Sequence, residues 1–256
     1  MTPYPAPRTA GVLATAVVAI LIATTGCSPM PELGETTAEE TYDVGVAALA
    51  RGDYLLAIEA FKRITLNTPL HDTADDALVG LADAYRATSD YASAEEGYRR
   101  LMSDYPHSPL VPEAEYKLGM TFFDQSLPSS LDQGMTQQAI SQFEYFLDAF
   151  GETELADDAR DRIGELRSRL AQKNYEAAGL YFDLKKPAAA RVYLEAVVAE
   201  YPGTVWARVA LLDKARSFAA EGSRALAENE YQRLIDLYPG TEEAGTAAAE
   251  LAALSD

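Results

Sequence analysis

Thiols are almost missing. The 256-residue chain holds a single cysteine, Cys27, which excludes a disulfide scaffold and any Cys-rich metal site. Histidine and tryptophan are nearly as scarce, at two and one residues. Positive charge is short as well: 21 Lys and Arg stand against 40 Asp and Glu, a formal net charge of −19. Nucleic acid and anionic lipid would both be repelled over a screening length of roughly 8 Å, so neither fits as a partner. Catalytic signatures are also lacking, with no G-x-S-x-G turn, no Walker-type loop and no H-E-x-x-H. His71 and His107 each follow a proline closely, at Pro69 and Pro106, with no ligand set around them, and read as loop residues. The many carboxylates cannot be paired for acid–base work from sequence. No enzyme, metal site or cofactor is therefore expected. What the chain does have is apolar content, 48% of its residues and spread along its length, which excludes a disordered acidic polymer. Its length suffices for one or two domains with a buried core.

Residues 1–26 read as an export signal. Arg8 is the only charge before the apolar run Val12 to Ala23, which is shorter than the roughly 20 residues that span a bilayer. Small residues, Thr24-Thr25-Gly26, then precede Cys27. This resembles a bacterial lipobox, in which cleavage leaves the cysteine first and its thiol carries a diacylglycerol. Thr24 stands where such boxes usually have Leu. An ordinary signal peptide or an uncleaved anchor are the alternatives. Each buried acyl CH₂ contributes about 0.8 kcal/mol, so a lipidated Cys27 is expected to hold the protein at a membrane surface. Ser28 after the cysteine suggests the outer membrane, by resemblance to Gram-negative sorting rules. Pro29, Pro31 and Gly34 make residues 27–36 a helix-poor tether.

Everything after the tether is periodic. Five segments place an aromatic or Leu four residues after an alanine, and a proline eight residues further on. They are Ala57/Phe61/Pro69, Ala94/Tyr98/Pro106, Ala139/Phe143/Gly151, Ala190/Leu194/Pro202 and Ala227/Tyr231/Pro239, with Gly replacing Pro only in the third. Small residues, Gly45, Ala82, Gly119, Ala178 and Ala215, occupy the equivalent place in each preceding helix. Contacts between small residues, aromatics beside them and a terminating proline make a tetratricopeptide-type helix–turn–helix unit. The expected fold is all-α: a right-handed superhelical solenoid of five such repeats with a C-terminal capping helix, Glu242 to Leu254. Successive alanines lie 37, 45, 51 and 37 residues apart. The eight extra residues of the 45 fall in the loop-like stretch Ser126 to Gln133. The fourteen extra of the 51 fall in Glu154 to Leu184, which has no internal proline, so the fourth unit should open with one helix of about 30 residues. Residues 37–152 would then form an N-terminal half of three repeats. The long helix, repeats four and five and the cap would occupy 153–256.

Stacked first helices should line a concave groove. Its expected wall combines Tyr42, Val46, Leu49, Val79, Tyr116, Met120 and Phe123 with several carboxylates and Arg86. Apolar sockets beside a single cation suit an extended peptide with an aromatic residue near a free carboxylate. The same side chains could equally pack on neighbouring helices. On the long helix, Asp158–Arg162 and Glu165–Arg169 are acid-before-base pairs at i,i+4, each worth only about 0.2–0.5 kcal/mol. That helix is either a solvated face or a docking surface, for which Arg160, Arg167 and Arg169 are the candidates, with Arg191 on the following helix.

Three stretches, Gly52 to Ile58, Asp157 to Ala171 and Val197 to Thr204, together resemble the BamD family of outer-membrane lipoproteins, part of the β-barrel assembly machinery. Within them the Leu-Arg-x-Arg-Leu-Ala segment from Leu166 is the informative part. The resemblance implies a non-catalytic scaffold at the periplasmic face of the outer membrane, binding the POTRA region of the barrel subunit BamA through its C-terminal half. It also implies an N-terminal groove for targeting segments of unfolded outer-membrane proteins, and accessory lipoproteins as further partners. Many members carry an Arg toward BamA where this chain has Tyr193. Arg191, two residues earlier, points about 200° away on the same helix. A periplasmic tetratricopeptide adaptor for a protease or for cell division is the competing reading, although such adaptors usually lack the fourteen-residue extension.

Overall fold

The computed structural model describes residues 36–255, so Cys27 and the export signal lie outside the described residues. Within them the chain forms eleven α-helices and no strand. They are α1 (Ala38–Ala50), α2 (Tyr54–Asn67), α3 (Ala74–Ala87), α4 (Tyr91–Asp104), α5 (Val111–Gln125), α6 (Gly134–Phe150), α7 (Ala156–Asp183), α8 (Pro187–Glu200), α9 (Val205–Ala220), α10 (Arg224–Leu237) and α11 (Glu242–Ser255). Each helix packs on the next in chain order. First helices of successive pairs also touch, α1 with α3, α7 with α9 and α9 with α11, while no such extended contact links the second helices. The first-helix layer is therefore the tighter side of the stack.

The repeat residues explain the pairing. Ala57, Ala94, Ala139, Ala190 and Ala227 are fully buried, and Phe61, Tyr98, Phe143, Leu194 and Tyr231 beside them are buried in turn. A Cβ on either Gly45 or Gly80 would lie 2.6 Å from the Phe61 ring, so this ring fills a notch that only glycine leaves open. At the far end of four of the five units the chain is stopped by proline. Thr68, Tyr105, Tyr201 and Tyr238 cap α2, α4, α8 and α10 with φ between −127° and −133°, outside the helical region, as expected of residues that precede Pro69, Pro106, Pro202 and Pro239.

Within four of the pairs one turn recurs. Gly52, Ser89, Lys185 and Gly222 sit in the left-handed region at φ +75°, +61°, +59° and +75°. In each, the following N–H closes back on the carbonyl five residues earlier, as in Asp53 N to Ala48 O at 2.9 Å and Lys186 N to Tyr181 O at 2.9 Å. The third pair departs from this. There Ser126 to Gln133 connect α5 to α6, and the Gln133 amide donates to the carbonyls of Pro128 at 2.8 Å and Asp132 at 3.1 Å.

Helix α7 runs unbroken for 28 residues, close to the length read from the spacing. Its first half packs on α6 and its second half on α8 and α9. Two separate clusters of buried side chains meet along it: one runs from Leu78 to Leu166, the other from Ala171 to Ala247. Its added turns also meet the eight-residue insertion. Lys173 Nζ donates to Leu131 O at 2.6 Å, Ser129 Oγ donates to Glu176 at 3.1 Å, and Arg169 bonds Ser126. The two departures from the 37-residue period thus lean on each other.

Candidate functional site

The first helices of the N-terminal pairs enclose a hollow of about 190 Å³. Tyr42, Val46 and Leu49 enter from α1, Asp76, Val79 and Asp83 from α3, and Glu113 and Lys117 from α5, over a floor of Phe61. Helix α1 is started by a reciprocal capping box between Thr37 and Glu40, which fixes where its apolar face points. Val46 remains 43% exposed, and the Tyr42 ring lies 5.9 Å from that of Phe61. An apolar side chain of the α1 wall, Val46, is therefore open to solvent above the buried Phe61 ring.

The polar wall of the hollow is acidic. Among the described residues Lys117 is its only cation, and its ammonium is closed between Asp83 at 2.6 Å and Glu113 at 2.7 Å. Tyr98 also donates to Asp83 at 2.6 Å; burial and that carboxylate push its hydroxyl far above the usual range. Burial, with Asp75 and Glu113 nearby, raises the Asp76 carboxyl. Burial and then Asp76, Asp43 and Asp75 raise the Tyr42 hydroxyl.

The expected groove residues divide between two places. Tyr42, Val46, Leu49 and Val79 share the hollow. Tyr116, Met120 and Phe123 pack instead against the core shared with α6 and α7. The Tyr116 ring sits 5.7 Å from both Phe143 and Phe146, its hydroxyl bonds Asp158, and burial with that bond pushes it up to about 12. Asp158 is held below the carboxylate range by Tyr116 first and by Arg162. The Arg162 guanidinium also lies 5.0 Å over the Phe123 ring. Arg86 spans the boundary, bonded to Asp124 at 2.9 Å. Lys117 was missed because counting by repeat position places it off the groove. Its i,i+4 spacing from Glu113 was the available signal.

The four arginines expected as docking candidates do not share a surface. Arg160 and Arg167 are exposed, bonded to Asp157 at 2.6 Å and to Glu144 at 2.6 Å. Arg169 faces the insertion and pairs with Glu165 at 3.1 Å, and Arg162 Nε reaches Asp158 at 3.3 Å, so both expected i,i+4 pairs form. Arg191 is turned inward: it meets Glu221 at 3.0 Å and Ser217 at 2.8 Å, and lies 4.3 Å over the Phe218 ring. Tyr193 stacks on Tyr181 with centroids 5.1 Å apart. Trp206 is half-buried against Tyr175. His71 Nε2 meets Glu39 at 3.0 Å, and among the described residues no His, Cys, Asp and Glu group is arranged to hold a metal ion. Nor is any described helix long and apolar enough to cross a membrane.

The outer membrane protein assembly factor BamD of Caulobacter vibrioides is 26% identical over 75% of this chain, and the match spans 65% of that protein, somewhat less than two thirds of its length. The BamD of Haemophilus influenzae is 24% identical over 86% of this chain and 88% of its own. Among solved structures, the TPR2AB domain of yeast Sti1 in its pHSP90 complex aligns at 15% identity and a TM-score of 0.49, covering 87% of this chain and 85% of that one. Residues 34–254 match the model of the YfiO outer membrane lipoprotein family, and with most of its length accounted for in this way the chain belongs to that family.

Proposed function

We propose that the protein is a non-catalytic scaffold in the assembly of outer-membrane proteins, a reading supported by relatives that are named outer membrane protein assembly factors. In this reading residues 37–152 receive segments of unfolded outer-membrane proteins, and residues 153–256 dock on the POTRA region of a BamA-like barrel protein. Lipid on Cys27 holds the assembly at the periplasmic face of the outer membrane, with accessory lipoproteins alongside. The observation that supports the first half is the hollow between α1 and α3, where the exposed Val46 stands with Tyr42 and Leu49 over the buried Phe61, since an apolar lining accepts varied extended segments. For the second half, Arg160 and Arg167 lie on one exposed stripe of α7, seven residues apart and so nearly in line on a helix.

Three experiments test this. Purification of the full chain from detergent-solubilised outer membrane should recover a barrel protein in near-stoichiometric amount; its repeated absence would overturn the docking role. In a peptide titration, Val46→Asp should weaken binding of an unfolded barrel segment about tenfold, because it places a charge on the apolar wall of the hollow without disturbing a buried side chain. Unchanged affinity would remove the hollow as the site. Mass spectrometry of the mature protein checks the anchor, which an unmodified Cys27 thiol would exclude.

A further inference from the structure

The hollow between α1, α3 and α5 is apolar below and negative at its rim, and the two properties together select among peptides. Three carboxylates, Asp76, Asp83 and Glu113, line it against one ammonium, Lys117. Lys117 is already held between Asp83 at 2.6 Å and Glu113 at 2.7 Å. Asp76 has no cationic partner among the described residues. Tyr42 lines the same hollow, its ring 5.9 Å from that of Phe61. Arg86, on the same helix as Asp76, is bonded to Asp124 at 2.9 Å and does not line the space. A free carboxylate brought here would face uncompensated negative charge. A lysine or arginine would find a carboxylate and an aromatic face, with the apolar floor for its neighbours.

We propose that this hollow selects apolar peptide segments bearing a lysine or arginine, the cation lodging between Asp76 and Tyr42. The proposal rests on the reading of the hollow as a peptide site and adds the sign of charge it prefers, opposite to the carboxylate-bearing peptide expected from the sequence.

The test is a titration of the full chain in detergent with three amidated peptides. They share one apolar pattern and differ at a single position, which is Lys, Gln or Glu. The expected order of affinity is Lys, then Gln, then Glu. The Lys peptide should bind about fivefold tighter than the Gln peptide at low salt, and the gap should shrink as salt rises. Asp76→Asn should abolish that advantage. Glu152→Gln, at an exposed carboxylate in the α6–α7 turn, should leave it intact. Equal binding of the Lys and Gln peptides, or equal loss in both variants, overturns the charge preference while the peptide site stands. Binding of none of the three overturns the peptide site and the preference with it.

Discussion

The first-helix wall is open in the N-terminal half and closed in the C-terminal half, although the repeat backbone is the same in both. Between α1, α3 and α5 the wall leaves a hollow with an unpaired carboxylate, Asp76, and an exposed apolar side chain, Val46. Between α9 and α11 the equivalent wall is bridged. Arg216 reaches Glu250 with contacts of 2.6 and 3.1 Å and Asp213 at 3.5 Å, Tyr175 donates to Asp213 at 2.5 Å, and Tyr231 donates to Glu250 at 2.8 Å. Behind it, Lys214 sits between Glu195 at 2.6 Å and Glu230 at 2.7 Å, and Arg233 joins both. The register shows why. Asp83 follows the small residue Ala82, whereas Arg216 follows Ala215; Asp76 lies six residues before Ala82, where the fifth unit has Val209. A few positions on an invariant frame therefore decide whether a wall binds or seals.

The largest effect should come from separating the two cores. Phe143→Ala empties a fully buried site in the first cluster and should cost about 3–5 kcal/mol; Leu194→Ala in the second should cost about 2–5 kcal/mol. Hydrogen exchange should rise from α3 to early α7 in the first variant and from late α7 to α10 in the second. Uniform loss of protection along the chain in both would show that the halves unfold as one unit.

The network behind the closed wall should carry a pH signature opposite in sign to that of the raised Asp76 carboxyl in the open one. Arg233, with Lys214, holds the Glu195 carboxyl at about 2, below its ordinary 4.5. Its stabilisation is complete above about pH 4.5 and is lost as pH falls toward 2. Because the Glu195 side chain is 41% exposed, solvent screening reduces the effect to about 1 kcal/mol. Glu195→Gln should remove that part of the acid transition in a chemical-denaturation series, and an unaltered pH profile would remove Glu195 as its source.

A smaller change probes the seam between α5 and α7. Tyr116→Phe keeps the ring between Phe143 and Phe146 but deletes the bond to Asp158, and should cost about 0.5–1.5 kcal/mol. Peptide affinity should not move, since Tyr116 does not line the hollow; a clear loss of affinity would extend the binding wall to α7. The smallest effect lies in the shared turn. Lys185→Gly should stabilise the α7–α8 pair by about 0.5–1 kcal/mol, because a side chain at φ +59° is strained where glycine is not. Thermal unfolding that shows no gain would mean that Lys185 makes a compensating contact.

The frame was legible because it rests on residues close in sequence. Ala, aromatic and Pro recur at fixed separations within one helix pair, and each does local work: close approach, filling of the notch, chain termination. The length of α7 followed from the same count. The electrostatics were not legible. Arg233 meets Glu195 across 38 residues, and Arg86 meets Asp124 across 38. Such pairs depend on how adjacent units rotate against each other, and no period in the sequence states that. The same rotation took Tyr116 and Phe123 from the groove to the seam with α7.

Helix α7 has one consequence for motion. Both clusters of buried side chains are fastened to a single proline-free helix of 28 residues, about 42 Å long. The eight-residue insertion is tied to its middle turns through Arg169, Lys173 and Glu176, like a collar on a shaft. A chain joined by a loop would swing freely at that point. Here any relative movement of the halves must twist or bend a continuous helix, so a load applied at one end is delivered to the other as rotation about a common axle.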